Sequence, residues 1–384
     1  MIRVLVLLLL PMAAVAQVDP RPANTNYKPA FANQTDAPAL PRTNVAVQTL
    51  VSGLDIPWGM AALGDGRFLL TERIGNLRII DANGRAGPAL DGLPELVAIQ
   101  QGGLLDVAVS PRFADDRTIF WTYSKPVGNL SVTAAAKGIL GTDDKLSGVT
   151  DIFVGDTPGE GGIQYGSRII PMADGTVWIT TGDRGNGEWG DPDLVLEPYS
   201  TIGKVIRINA DGSAPADNPF VGRDGNDLVW SLGHRNMQGA AIGPDGLLWT
   251  IEHGPRGGDE LNQPQAGLNY GWPAISYGIH YDGEKIGRGR TAARGYEQPV
   301  YYWDPVIAPT GMAFYDGPYT DWQGDLLIAA LSGALVRLKI DNGRVVGEEW
   351  LLTDVGRIRD VEVLDDGRVL LALDSGDVLR IFPR

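Results

Sequence analysis

The chain of 384 residues contains no cysteine. That absence excludes disulfide staples, thiolate zinc sites, iron–sulfur clusters and cysteine nucleophiles. Only three histidines are present, scattered through unrelated phrases, which argues against a His-rich transition-metal centre. Basic residues are scarce: 32 Lys and Arg face 47 Asp and Glu, for a formal charge of −15. A surface of that sign repels nucleic acid and anionic membranes, so neither is expected as a partner. Beyond the first sixteen residues no stretch reaches the ~20 uninterrupted apolar residues of a spanning helix, so no membrane insertion is expected. Long amphipathic helices are missing too, because 26 Pro and 51 Gly interrupt nearly every segment. Hydrophobic residues still make up 43%, enough for a full-sized core and too many for wholesale disorder.

Residues 1–16 read as an export signal. Arg3 gives a positive start, Val4 to Leu10 is an apolar run too short to span a bilayer, and Ala14-Val15-Ala16 is an A-x-A cleavage site. The mature chain is therefore expected to begin near Gln17 and to be periplasmic or secreted, a setting that suits a chain without thiols. Residues 17–43, rich in Pro, Ala and Asn without a period, read as a flexible leader or an arm on the surface. Residues 44–384 form the folded unit.

That unit repeats itself. A turn followed by four to six alternating or apolar residues occurs six times, with the second turn residue at 65, 116, 174, 245, 323 and 366. Asp-Gly between β-rich runs is a hairpin signal, because glycine accepts the positive φ of a tight turn. Several copies lead into a second strand opened by glycine, as in Gly75–Ile80, Gly203–Ile208, Gly333–Leu338 and Gly376–Ile381. A β-repeat of this length suits a four-stranded blade, and six of them predict an all-β, six-bladed propeller. Val45–Val51 lies outside the first unit and is expected to pair with the last and close the ring. The segments 184–202 and 254–310 are expected to be loops on one rim.

Ordered along the chain are Ile56-Pro57-Trp58-Gly59-Met60, Gln101-Gly102-Gly103-Leu104-Leu105-Asp106 and Thr181-Gly182-Asp183-Arg184-Gly185. Gly233-His234-Arg235-Asn236-Met237-Gln238-Gly239 and the run Glu252 to Asn262, EHGPRGGDELN, follow. Asn269-Tyr270-Gly271-Trp272-Pro273, Ala308-Pro309-Thr310-Gly311-Met312 and Gly356-Arg357-Ile358-Arg359-Asp360 complete the set. In this order, over residues 44–384, the phrases resemble the soluble PQQ-dependent aldose sugar dehydrogenases, also called glucose/sorbosone dehydrogenase-like proteins. The resemblance implies a six-bladed propeller that uses PQQ and Ca2+ to oxidise an aldose sugar at C1 to the lactone. Electrons then pass to an external acceptor.

The resemblance also implies a site. Arg235, Arg357 and Arg359 match positions that face the cofactor, and a planar guanidinium suits carboxylates and quinone oxygens. Read alone, the last two fit ordinary surface pairing with Asp360 or another neighbour better than a cofactor role. Gln101 and Asn236 match hydrogen-bonding positions. The carbonyls of Gly254 and Pro255 match the holders of the cofactor's calcium, an ion that takes oxygen ligands. Glu260 and Tyr270 match part of a second calcium site. Trp189, Tyr301 and Trp303 are candidates to wall the sugar or simply to pack.

Two departures stand out. The family's base histidine is replaced in Gln164-Tyr165-Gly166-Ser167-Arg168, and glutamine cannot act as a general base. Asp183, at the position that orients the substrate, is the remaining catalytic candidate. Ser332 stands near a position where many relatives carry a cofactor-contacting lysine. The missing base leaves a second reading open, a non-catalytic propeller that binds PQQ or a sugar. A third, a calcium-dependent lactonase, is disfavoured because it needs carboxylates converging on one metal rather than a cationic cradle.

Overall fold

The computed structural model describes residues 18–159 and 161–383; the expected export signal lies outside them. Six four-stranded antiparallel sheets are arranged in a ring. The first strands are Pro57–Ala62, Leu104–Val109, Gly166–Pro171, Met237–Ile242, Pro309–Phe314 and Ile358–Val363. They adjoin one another around the axis, from blade one to blade six and back. Each of the six predicted turns leads into the second strand of a blade: Phe68–Glu72, Thr118–Val127, Thr176–Thr181, Leu248–Glu252, Leu326–Ala330 and Val369–Leu373.

Val45–Val51 pairs antiparallel with Val378–Pro383 as the outer strand of blade six, so the N-terminal strand closes the ring as expected. Alternation along the strands sends apolar side chains to both faces of every sheet, and the core is accordingly split between blades. One cluster, around Trp249, Leu261, Met312 and Leu326, joins blades four and five; another, around Leu69, Val107 and Trp121, joins blades one and two. The segment 254–310 is only partly loop: Asp259–Asn262 and Tyr301–Trp303 are the third and fourth strands of blade four. Their few residues carry too short an alternation to be read from sequence.

Residues 18–43 lie against blades four and five rather than hanging free. Asp304 accepts four hydrogen bonds from Asn24 and Thr25, at 2.8–2.9 Å. Gln34 is fully buried and donates to Pro299 O, and Leu40 N donates to Glu348 O. Scattered polar side chains that find buried partners hold this arm, which is why no periodicity announced it.

In all six blades the register between first and second strands slips at the mouth end of the first strand. Such bulges re-aim side chains. Here they turn Trp58, Asp106, Arg168, Gln238 and Arg359 to the axis. Buried Arg168 becomes the hub: its NH1 is 2.9 Å from Asp106 and 2.8 Å from Asp360. Its Nε and NH2 donate to Gln238 O and Arg359 O, and its guanidinium lies 4.5 Å over the Trp58 ring. Blade five contributes Gly311, where a Cβ would stand 1.9 Å from Asp360 Oδ1, so only glycine fits. Burial pushes Asp360 up to about 7 against the pull of Arg168.

Removing one partner of a buried ion network strands the others. Arg168→Leu is expected to lower unfolding free energy in urea by ~3–5 kcal/mol. Adding Asp106→Asn and Asp360→Asn should recover part of that loss; no recovery would mean that Arg168 acts through packing alone.

Candidate functional site

The mouth of the ring is built around a tight turn at 253–258. Asp259, fully buried, accepts Gly254 N on one carboxylate oxygen, and Ile307 N and Ala308 N on the other, at 2.7–2.8 Å. It thereby ties the turn to the start of blade five. Burial pushes its carboxyl up to about 7, with those three N–H groups pulling the other way. A Cβ on Gly254 would lie 2.2 Å from Gly257 O, so the turn admits only glycine there. The carbonyls of His253 and Gly254 accept from Arg235 NH1 at 3.0 and 3.2 Å, and Pro255 is buried beside them.

Arg235 is itself buried. Its Nε and NH2 both donate to Glu188 Oε1, at 2.9 and 2.7 Å, and its guanidinium lies 5.3 Å from the Trp272 ring centre. Across the mouth, Arg357 and Arg359 both pair with Asp374, not with Asp360, at 2.8 and 3.0 Å. Arg359 also donates to Gln238 Oε1. His253 lies among these three arginines. Burial and the positive charges of Arg235, Arg359 and Arg357 push it down to about 3, so it is neutral, with Nε2–H donated to Pro309 O. The charges of the three arginines matched from sequence thus all bear on His253, and Arg357 and Arg359 share one carboxylate.

The opposite wall holds Gln164, at φ 52°. Its N–H donates to Gln101 Oε1 at 2.8 Å, and its own buried Oε1 has no hydrogen-bond partner. Asn236 Oδ1 accepts from Gly166 N at 3.1 Å, next to this wall. Asp183 is fully buried and spends its oxygens on Gly185 N, Gly187 N and Trp272 Nε1, at 2.9, 3.2 and 2.7 Å. It caps the turn into the one-turn helix Asn186–Trp189 and fixes the Trp272 indole. Below it, buried Lys204 donates to the carbonyls of Leu194, Val195 and Ile202 at 2.7–2.9 Å, pinning the segment that carries Glu188. Burial pushes this lysine down to about 7.

Trp272 and Tyr270 reach the mouth by an unexpected route. The chain after Asn262 climbs the outer edge of blade three, where Leu232 and Asn269 form a parallel bridge and Tyr270 N and Trp272 N donate to Leu232 O and Gly233 O. Tyr270 stacks on His234 at 4.8 Å and donates to Gln263 O. Tyr270, Glu260, Glu252, His253 and Arg235 line one small cavity. Burial raises the Glu260 carboxyl well above its ordinary range, and neighbouring Glu252 adds to the push. Among the described residues no three His, Asp or Glu side chains converge as a metal cluster.

Of the aromatic candidates, Tyr301 and Trp303 belong to the core between blades four and five and donate to Glu348. Trp189 is 65% exposed on its helix. Glu188, Asp259, Trp272 and Lys204 were passed over in the sequence. The last three lie in the phrases DELN, NYGWP and GKVIRIN, where nothing local marks them as site residues. Glu188 lies in an irregular segment and carried no signal.

A family model for glucose/sorbosone dehydrogenases matches residues 54–380. The chain belongs to that family. Aldose sugar dehydrogenase YliI of Escherichia coli K12 is 40% identical, with 90% of this chain and 95% of the relative covered. The apo-form crystal structure of the soluble aldose sugar dehydrogenase from Escherichia coli superposes with a TM-score of 0.84 at 37% identity, covering 89% of this chain and all of that one. The PQQ-bound aldose sugar dehydrogenase from Streptomyces coelicolor gives a TM-score of 0.72 at 26% identity, covering 90% and 100%. Membership in this family of sugar dehydrogenases places the chain among the oxidoreductases.

Asp183 gives the site a pH signature. Burial raises its carboxyl to about 6, with Arg235 pulling down and Glu188 pushing up. An unfolded Asp titrates near ~3.9, so the protonated form is favoured by the fold: its contribution is full below about pH 4 and lost as pH rises through about 6. The stability difference between the wild type and Asp183→Asn, from urea curves at pH 4 to 7, should therefore move against the wild type by about 2 kcal/mol. A pH-independent difference would contradict this.

Proposed function

We propose that the protein is a PQQ- and Ca2+-dependent dehydrogenase that oxidises aldose sugars at C1 to lactones and passes electrons to an external acceptor, working in the periplasm or outside the cell. The observation that carries this reading is the carbonyl-lined turn at His253 and Gly254 gripped by buried Arg235, with His253 Nε2 on Pro309 O and Arg357 and Arg359 sharing Asp374. This donor set fits the group. Guanidinium forks suit a flat tricarboxylate with quinone oxygens, and backbone carbonyls suit a hard cation. When bound, PQQ supplies an ortho-quinone that accepts two electrons.

The protein's part is to hold and orient. Arg235, Arg357 and Arg359 bind the anionic edges, Gln101 and Asn236 shape the wall, and the carbonyls of Gly254 and Pro255 hold the calcium. Glu260 and Tyr270 serve a second calcium ion at the small cavity. Asp183 holds Trp272 and the Glu188 turn in place. Gln164 offers the substrate an acceptor oxygen but cannot take its proton, so turnover is reduced. That same glutamine favours the second reading, a propeller that binds PQQ or a sugar without turnover.

The test is to titrate the protein with PQQ in the presence of Ca2+, following absorbance, and then to assay dye reduction with glucose. The wild type should bind PQQ and reduce the dye. Gln164→His should be faster, by up to the ~10²–10⁴-fold value of a positioned base. Binding without turnover would favour the non-catalytic propeller, and absence of binding would remove both readings.

A further inference from the structure

The reaction proposed above needs a proton acceptor, and the imidazoles placed at the site cannot supply it. His234 has both ring nitrogens engaged, by Ser231 and Glu252. His253 is committed to Pro309 O amid three guanidinium groups. The carboxylates are mostly committed as well. Asp183 spends its oxygens on three N–H donors, Asp259 on three backbone N–H groups, and Asp374 on Arg357 and Arg359.

Glu188 is different. Its side chain is fully buried, and Arg235 grips a single oxygen, Oε1, through both Nε and NH2. Among the described residues, Glu188 Oε2 is the one buried carboxylate oxygen without a hydrogen-bond partner. Gln164 Oε1 is another orphan acceptor of this region. The two flank Asp183: Arg184 N donates to Gln164 O, while Glu188 is close enough to bear on the Asp183 carboxyl. Buried acceptors without donors are costly and call for one. Two of them around Asp183 suit a ligand rich in hydroxyl groups.

We infer that Glu188 is the proton acceptor of this site and that Gln164 binds a neighbouring sugar hydroxyl. The inference rests on the sugar dehydrogenase reading. As the C1 hydrogen leaves with its electron pair for the ortho-quinone, the O1–H bond breaks. Its electrons close the C1=O bond of the lactone, and the proton passes to Glu188 Oε2. A bound ortho-quinone would supply the two-electron oxidant, and Glu188 would hold the released proton until it is handed to the reduced cofactor. Arg235 keeps the acceptor oriented by holding the other oxygen.

Glu188→Gln keeps an oxygen for Arg235 and removes the base, so binding and chemistry separate. The expected result is PQQ affinity within about threefold of wild type by absorbance titration, with kcat for glucose lower by ~10²–10⁴-fold. The isotope effect with glucose deuterated at C1 should rise, and Glu188→Asp should keep partial activity. Adding Gln164→His to Glu188→Gln should restore turnover, with a pH profile governed by an imidazole near ~6.5. Unchanged kcat in Glu188→Gln overturns the inference. So does loss of PQQ affinity in step with turnover, which would make Glu188 part of the cradle. If the wild type itself binds no PQQ, the sugar dehydrogenase reading fails first; a wild type that binds PQQ and turns over, beside a Glu188→Gln that does so equally well, fails the inference alone.

Discussion

A buried guanidinium at the axis sets the geometry of everything above it. Arg168 meets a side chain, a carbonyl or a close-packed glycine from each of the other five blades. Its contacts come from residues displaced by bulges, so the slip in register at the head of each first strand is what turns polar groups inward. Without it the axis would be lined by the ordinary apolar alternation seen farther down the strands. The hub also fixes Gln238 and Arg359, and through them the floor of the mouth.

Charge at the mouth is balanced before any ligand arrives. Arg235 is held by Glu188, and Arg357 and Arg359 share Asp374. An acidic chain with a formal charge of −15 thus keeps its cations gathered and oriented in one place. A polyanion entering here can exchange with Asp374 on Arg357 and Arg359 while Glu188 stays on Arg235, and side chains held by other contacts lose little entropy on binding. Arg235 is the clearest case: two of its donors stay on the carbonyls of His253 and Gly254, so the turn and the cation move as one unit.

The six blades and their closure were legible because turn chemistry and strand alternation are local, and six Asp-Gly-type turns mark six second strands. The short strands Asp259–Asn262 and Tyr301–Trp303 were not, because three or four residues hold no measurable period. Within the site, the arginines and the glycine turn could be placed because they lie in an ordered set of phrases. Glu188 could not, since it reaches Arg235 through a capped turn whose course depends on buried Asp183 and Lys204. Nor could the climb of residues 267–272 along the outer edge of blade three, which is a long-range backbone pairing with no side-chain signature. The N-terminal arm escaped for a related reason: its anchors, Asn24, Thr25 and Gln34, find partners some 280 to 265 residues away.

The pairing of Val45–Val51 with Val378–Pro383 joins the two ends of the folded unit. A circle completed by its own extremities has an all-or-none character that an open stack of sheets lacks. A nascent chain short of its last dozen residues would present two unsatisfied sheet margins, each a template for unwanted association. Both closing strands are thus a precondition for a sealed ring, and a product clipped within either would betray itself by stickiness.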